Sequence, residues 1–420
     1  MDAQRLDPAK RAQRQLELLQ ATLNRVHRAV PFYKDRFMEN RTEPGEVESL
    51  KDIAKLPFTF RSHLADHYPY GLFAVPLRDI VRIHTAPGLG VHPVVSGYTR
   101  QDLSTWKEIV QRGLSASGLA ATDILQICLD PGLANWGRDY KDAAEVLGAS
   151  VIPLTSLSLE KQQMVLSDYK TSVLVTTPTF AAQLAAGLSS SGIHPNELAL
   201  RSLILVGEPL SRDARTSLEE TFGLTAWSQY GLSDVPGPAV AFECEEHEGM
   251  HVNEDHFLPE IVDPRTREPV AEGEEGELVL TTLTTRAFPL IRFATGDRMR
   301  FIQEPCKCGR TLRRVQWLPG RTDDTAVIRG VKVHHDQILS HVERVLGFVP
   351  ERFKFRAVQD ERASMLEVWM GVDDHLFSDE VKVLEGSVQA VSAALSQELG
   401  VPVCVRLKET SQMNGRAGWV

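Results

Sequence analysis

Cysteine is scarce, with five in 420 residues. So few thiols cannot staple a chain of this length, so a disulfide framework is excluded and a reducing compartment, the cytoplasm, is expected. Long apolar runs are missing too. None approaches the roughly 20 residues that span a bilayer. The opening MDAQRLDPAKRAQRQLELLQ is charged and has no apolar stretch of the kind a secretory signal needs. Positive charge is in deficit: 46 Lys and Arg stand against 56 Asp and Glu, a net charge of −10 at pH 7. A broad basic face for nucleic acid is therefore not expected, although a small basic pocket for a phosphorylated ligand fits the balance. The chain has no internal repeat and no low-complexity tract.

What is present is an ordinary globular composition, 42% hydrophobic, 24% charged and 7% aromatic, enough for a large core. The length predicts two or three domains. Leu16, Leu19, Leu23, Val26 and Val30 recur at mostly helical spacing, and Pro31-Phe32-Tyr33 is expected to end that helix. Further on, short apolar strands at 124–129, 150–153, 172–176 and 202–206 alternate with helical stretches at 140–147, 160–170 and 212–222. That alternation implies a mostly parallel sheet covered on both faces. After residue 250 the texture is β-rich, with strands expected at 260–262, 277–282, 290–293 and 298–302. Beyond Pro319-Gly320 a second unit reads strand, helix, two strands, helix, at 325–328, 337–345, 353–358, 366–372 and 378–397.

Four stretches carry chemistry. Residues 84–93, His-Thr-Ala-Pro-Gly-Leu-Gly-Val-His-Pro, form either a glycine loop offering backbone amides to a phosphate or an ordinary turn. Ser228-Gln229-Tyr230-Gly231-Leu232-Ser233-Asp234 follows the strand-like 203–206 and the turn Gly207-Glu208-Pro209. Hydroxyl and acidic side chains at the end of an α/β strand suit a nucleotide with Mg²⁺; a plain strand-to-loop junction reads equally well. Cys306 and Cys308, with Cys244 and either His251 or His247, match a tetrahedral Cys₃His zinc set. Asp297, and Arg321 with Asp323-Asp324, offer a carboxylate for ribose hydroxyls and a guanidinium for phosphate or sugar oxygens, or else are turn residues. His63, His67, His334 and His335 have no convincing partner pattern.

Taken together and in order, the motifs resemble the phenylacetate–CoA ligase family of adenylate-forming enzymes. The resemblance rests on Val30-Pro31-Phe32-Tyr33, Leu56-Pro57-Phe58-Thr59, Tyr70-Gly71-Leu72-Phe73, Val206-Gly207-Glu208-Pro209 and Tyr230-Gly231-Leu232-Ser233-Asp234. It continues through His251-Val252-Asn253-Glu254-Asp255-His256, Gly276-Glu277-Leu278-Val279, Gly320-Arg321-Thr322-Asp323-Asp324 and Arg329-Gly330-Val331. It implies an α/β fold: a large N-terminal domain (1–320) of mixed and parallel sheets with a β-rich subdomain, and a small α+β C-terminal lid (321–420). It also implies an acid activated by ATP to an acyl-adenylate and passed to CoA after the lid rotates. Gly207, Glu208, Pro209, Tyr230 and Gly231 would border the nucleotide. Asp297 and Arg321 would hold ribose, and Ser233 would contact the α-phosphate or the substrate carboxylate. Asp234 would stand where the family has a magnesium-associated glutamate, Asp323 would be the hinge, and Gly330 would approach CoA. The resemblance selects His251 over His247 and makes the zinc structural. A homodimer is compatible with it.

The sequence also departs from the family. The loop that in the family carries Ser, Thr and Lys around the outer phosphates is here Ala86-Pro87-Gly88-Leu89-Gly90-Val91-His92, without the lysine. Arg416 stands near the C-terminus where the family has its catalytic lysine. Residues 131–137, with Trp136, replace a glycine-rich stretch lining the acid pocket, whose apolar wall includes Val235 and Pro236. An aryl or arylacetic acid is the expected substrate. The departures keep two other outcomes open: a ligase-like protein that binds without turnover, or an adenylating enzyme serving an amine or a carrier protein.

Overall fold

The computed structural model describes residues 3–89, 92–153, 158–235, 237–350, 352–359, 364–372, 381–409, 413 and 418–419. The first helix, Pro8–Ala29, begins at Asp7, whose carboxylate accepts the amides of Ala9 and Lys10 at 3.0 and 3.2 Å. The first helix ends before Pro31 as expected, and Pro31 then occupies the first turn of a second helix, Pro31–Glu39, where its missing N–H costs nothing. Between them Val30 is extended and seals the corner.

One eleven-stranded sheet runs through the molecule. Its parallel half is ordered Ser150–Ile152, Ile124–Cys128, Val173–Thr176, Ser202–Val206, Thr225–Tyr230. The helices Ala134–Val146, Leu159–Asp168, Pro178–Ser190 and Arg212–Phe222 make the crossovers. Every residue of Ser202–Val206 is buried, as a central parallel strand requires. The β-rich region does not form a sheet of its own. It continues the same sheet antiparallel, through Ala241–Glu243, Met250–Val252, Arg314–Arg321, Phe293–Ile302, Gly276–Thr282 and Phe257–Val262. The strands expected at 290–293 and 298–302 are one strand, Phe293–Ile302, which absorbs a register shift beside Gly296 at φ +72°.

Residues 84–89 and 92–93 belong to an antiparallel hairpin, Arg82–Leu89 with His92–Tyr98; residues 90–91 lie outside the described residues. After residue 323 the chain forms the hairpin Thr325–Ile328 with Val331–His334, the helix His335–Leu346, and a four-stranded sheet with the helix Val381–Leu399. That sheet is ordered Val403–Glu409, Ser364–Val372, Phe353–Gln359, Gly418–Trp419, and its two outer strands were not expected. Among the described residues no helix is long and apolar enough to cross a membrane.

Candidate active site

The parallel strands end where ligands gather in open α/β sheets. The strand Thr225–Tyr230 delivers Tyr230, 1% exposed, whose hydroxyl donates to Oδ2 of Asp297 at 2.7 Å. Asp297 faces Arg321 across the antiparallel pair, and the guanidinium grips its Oδ1. Arg321 also donates to the carbonyl of Thr295 at 2.9 Å and to both oxygens of Asp323 at 2.7 and 2.8 Å. Gly296 is required here: a Cβ would overlap Arg321 and Asp323, and its φ is left-handed. Lys332 completes the cluster, placing Nζ 3.0 Å from Oδ2 of Asp297.

The electrostatics follow from burial. Burial drives the Tyr230 phenol well above its usual range, and the neighbouring Asp297 adds to this, so it is a neutral donor. Burial opposes the charge on Arg321, yet Asp297 and Asp323 outweigh it and raise its pKa. For Lys332 burial wins and lowers the pKa despite Asp297.

The turn after Ser202–Val206 brings Glu208 and Pro209 to the same place. Glu208 is buried and accepts the amide and hydroxyl of Thr179 at 3.0 and 2.5 Å. Burial raises its pKa against those bonds. A cavity of about 940 Å³ opens here, lined among others by Glu208, Pro209, Asp297, Trp317 and Arg321, and by Thr325 from beyond the turn at 323. The Trp317 ring meets Tyr230 edge-on at 4.9 Å.

Beyond Tyr230 the chain turns through Gly231, Ser233 and Asp234. Asp234 is fully buried and ion-paired with Arg61 at 3.1 Å. Ser233 is half-buried, Val235 is buried, and Pro236 lies outside the described residues, as does Arg416. Trp136 is buried on the helix Ala134–Val146. One turn later Asp139 is buried beside Trp106, with Arg82 at 3.2 Å. Gly237 leaves room for both Asp139 and Trp106, since a Cβ there would collide with each.

Four consecutive residues of the C-terminal unit enter the large one. Arg329 pairs with Asp130 at 3.1 Å and donates to Gln183 at 3.1 Å. Gly330 lies against Gly207, where a Cβ on Gly207 would stand 2.8 Å from the Gly330 Cα. Val331 packs on Gly132, and Lys332 reaches Asp297. Both Gly207 and Gly330 have left-handed φ, +81° and +79°.

On the antiparallel side Cys244, His251, Cys306 and Cys308 bring their ligand atoms within 4.8 Å of one another. Sγ of Cys244 is 3.5 Å from that of Cys306, and Sγ of Cys308 is 3.4 Å from Nε2 of His251. Tetrahedral zinc at about 2.3 Å from each sulfur would separate them by about 3.8 Å, close to what is seen. The Nδ1 of His251 faces the Leu312 carbonyl at 3.2 Å, which leaves Nε2 for a metal. His247 points elsewhere, against Trp227 and Arg215.

The "AMP-binding enzyme" family model matches residues 143–284. Phenylacetate–coenzyme A ligase of Thermus thermophilus is 37% identical, over 96% of this chain and 92% of its own. The enzyme of the same name from Pseudomonas putida is 35% identical, over 98% and 95%. This chain belongs to the phenylacetate–CoA ligase family. Among solved structures, 2-hydroxyisobutyryl-CoA ligase with its acyl-AMP and CoA in the thioesterification state aligns with TM-score 0.89, at 22% identity, over 99% of this chain and 91% of that one. The same ligase in its postadenylation state aligns at 0.72, with 21% identity over 99% and 90%. The chain therefore superposes more closely on the first of these two structures than on the second.

Within the phenylacetate–CoA ligase family frame, the structure gathers Gly207, Glu208, Pro209, Tyr230, Asp297, Arg321, Asp323 and Gly330 around one junction, while Gly231 packs against Gly237 and Pro238. Sequence reasoning missed Lys332, Arg61, Thr179 and Trp317. Lys332 follows the Arg329-Gly330-Val331 motif and was the most accessible of them, but a lysine between two valines reads as the outward residue of a strand.

Proposed function

We propose that this chain is an acid–CoA ligase that activates an aryl or arylacetic acid. A carboxylate oxygen attacks the α-phosphorus of ATP, and the bond to pyrophosphate breaks. The CoA sulfur then attacks the acyl carbonyl, the bond to AMP breaks, and the thiol proton passes to solvent. The observation that carries this reading is the Tyr230–Asp297–Arg321 cluster on the wall of a 940 Å³ cavity between the two units. Asp297 would take the ribose hydroxyls, Arg321 would neutralise sugar or phosphate oxygens, and Glu208 and Pro209 would flank the base. Ser233 would meet the α-phosphate or the carboxylate, and Trp136, Val235 and Pro236 would bound the acid. Asp323 would be the hinge between residues 1–320 and a lid of 321–420, Gly330 would line the CoA approach, and Arg416 would supply a cation from the lid.

Mg²⁺ would accompany ATP in this reading, with Asp234, which is paired with Arg61, as the carboxylate that would help hold it. Cys244, His251, Cys306 and Cys308 would hold one structural zinc, whose four protein ligands leave no open position. The enzyme would be cytoplasmic. The test is exchange of labelled pyrophosphate into ATP, which should depend on an aryl acid. Absence of exchange across a panel of such acids would reject the reading.

One observation favours a second reading, binding without turnover. The hairpin Arg82–Leu89 with His92–Tyr98 carries no lysine or arginine from Ile83 to Tyr98, so outer-phosphate charge there would meet backbone amides and no ammonium or guanidinium from that stretch. Calorimetric nucleotide binding with no product by mass spectrometry would establish that reading. Thioester missing while acyl-adenylate accumulates would instead point to an amine or carrier-protein acceptor.

A further inference from the structure

Asp297 serves two masters in this structure. Its Oδ2 accepts both the Tyr230 hydroxyl at 2.7 Å and the Lys332 ammonium at 3.0 Å, while Arg321 occupies Oδ1. Tyr230 and Arg321 come from the sheet that carries Asp297. Lys332 alone comes from beyond Asp323, on the strand Val331–His334. Its side chain is 9% exposed and its ammonium also lies 3.4 Å from the Thr295 carbonyl, so nearly all its hydration is gone. A buried ammonium with one carboxylate within reach is held where that carboxylate is. The other lid contacts at this junction, Arg329 on Asp130 and Gln183, Gly330 on Gly207 and Val331 on Gly132, touch no member of the Asp297 cluster.

We infer that Lys332 is the positioning residue of the thioester-forming half of the reaction: it fastens the C-terminal unit, in the placement seen here, to the carboxylate that receives the ribose. The inference rests on the ligase reading. In that reading the unit must leave this placement for adenylation and return for thioester formation, and undocking strips Lys332 from Asp297. Its ammonium therefore stabilises one of the two arrangements and not the other. A ligand or variant that shifts the lid equilibrium acts only through such a difference. Arg329 anchors the same placement on a different carboxylate, which makes it the natural comparison.

The test uses the full chain and the substitutions Lys332→Met, Lys332→Arg and Arg329→Gln. Pyrophosphate exchange reads the first half-reaction, and thioester formation from added acyl-adenylate and CoA reads the second. Hydrogen exchange of the ligand-free protein reads docking directly, at the amides of 205–209 and 330–333. For Lys332→Met the ratio of thioester formation to pyrophosphate exchange should fall about ten-fold or more. Those amides should exchange faster, and Lys332→Arg should recover part of both. Arg329→Gln should speed the same amides. An unchanged ratio with unchanged protection would overturn the inference, and so would equal losses in both half-reactions, which would make Lys332 a nucleotide-binding residue. A wild-type protein without either half-reaction would defeat the ligase reading alone; faster exchange in Lys332→Met would still establish the fastening, and unchanged exchange would still refute it.

Discussion

Gly207→Ala puts the junction between the two units to a sharp test. Gly207 sits at φ +81°, where an alanine costs about 1 kcal/mol. The new Cβ would lie 2.8 Å from the Gly330 Cα and 3.3 Å from Cδ1 of Leu133. Carbon atoms rest at about 3.5–4.0 Å, so the lid must recede by about 1 Å. A retreat of that size takes Lys332 from 3.0 Å to about 4 Å from Asp297, and Arg329 from 3.1 Å to about 4 Å from Asp130, both beyond hydrogen-bond reach. Losing two charge-assisted contacts that are partly or wholly desolvated weakens docking by about 2–3 kcal/mol, roughly 30- to 150-fold. Global melting should fall by only a few degrees, because the sheet and its core are untouched. Thioester formation should fall further than pyrophosphate exchange does, and amides at 330–333 should lose protection. A Gly207→Ala protein that retains the wild-type ratio and protection would refute the idea that this Gly–Gly approach sets the lid.

Three further outcomes follow from the geometry. Burial pushes Asp139 up to about 7 from an ordinary 3.8, so the folded state holds its proton more tightly than the unfolded chain. Stability from this group therefore falls as pH rises from about 4 to about 7 and is flat above, by about 4 kcal/mol in all. Asp139→Asn should flatten the wild-type slope in urea titrations across that window, and identical slopes would contradict the assignment. If the Cys/His cluster holds zinc as proposed, the wild type should carry one equivalent by metal analysis and Cys306→Ala should lose it and melt at lower temperature, since structural zinc contributes about 10–16 kcal/mol in small peptides. Asp297→Asn leaves Lys332 buried without its carboxylate, a loss of about 3–5 kcal/mol. ATP titration of the exchange reaction should show a KM raised about ten-fold or more, alongside reduced melting.

Four of the five parallel strands were legible because they are short apolar runs separated by helical ones, and 202–206 matches residue for residue, whereas Thr225–Tyr230 was not expected as a strand. The metal set was legible in kind from Cys306-x-Cys308, but the choice between His247 and His251 was not a matter of spacing. It is decided by His251 lying on a strand that pairs with Arg314, while His247 sits in a turn at φ +51°. The hairpin at 82–98 was hidden because Pro87, Gly88 and Gly90 read as turn residues, whereas its cross-strand partners, Thr85 with Val95 and Ala86 with Val94, make it a ladder. Arg61 and Lys332 were hidden for a different reason. Each is a lone charge whose partner, Asp234 or Asp297, lies far away in the chain, and no local pattern encodes such a pair.

The departures from the family pattern are not spread evenly over the reaction. The residues that meet at the junction, Gly207, Tyr230, Asp297, Arg321, Asp323 and Gly330, keep the family's motifs and also make the contacts described here. Those that differ lie on the hairpin at 82–98, along 131–137 with its buried Trp136, at Asp234 and at Arg416, which lies outside the described residues. Divergence at the phosphate hairpin, the acid wall, Asp234 and Arg416, with the junction motifs kept, is what a change of acid and of phosphate handling would leave behind. A buried ammonium 3.0 Å from Asp297 is a costly contact that apolar side chains readily replace, so its presence fits a junction still in use. The intact junction therefore weighs towards a working second half-reaction, and supplying a preformed acyl-adenylate with CoA, which bypasses the altered hairpin, is the assay in which activity should be clearest.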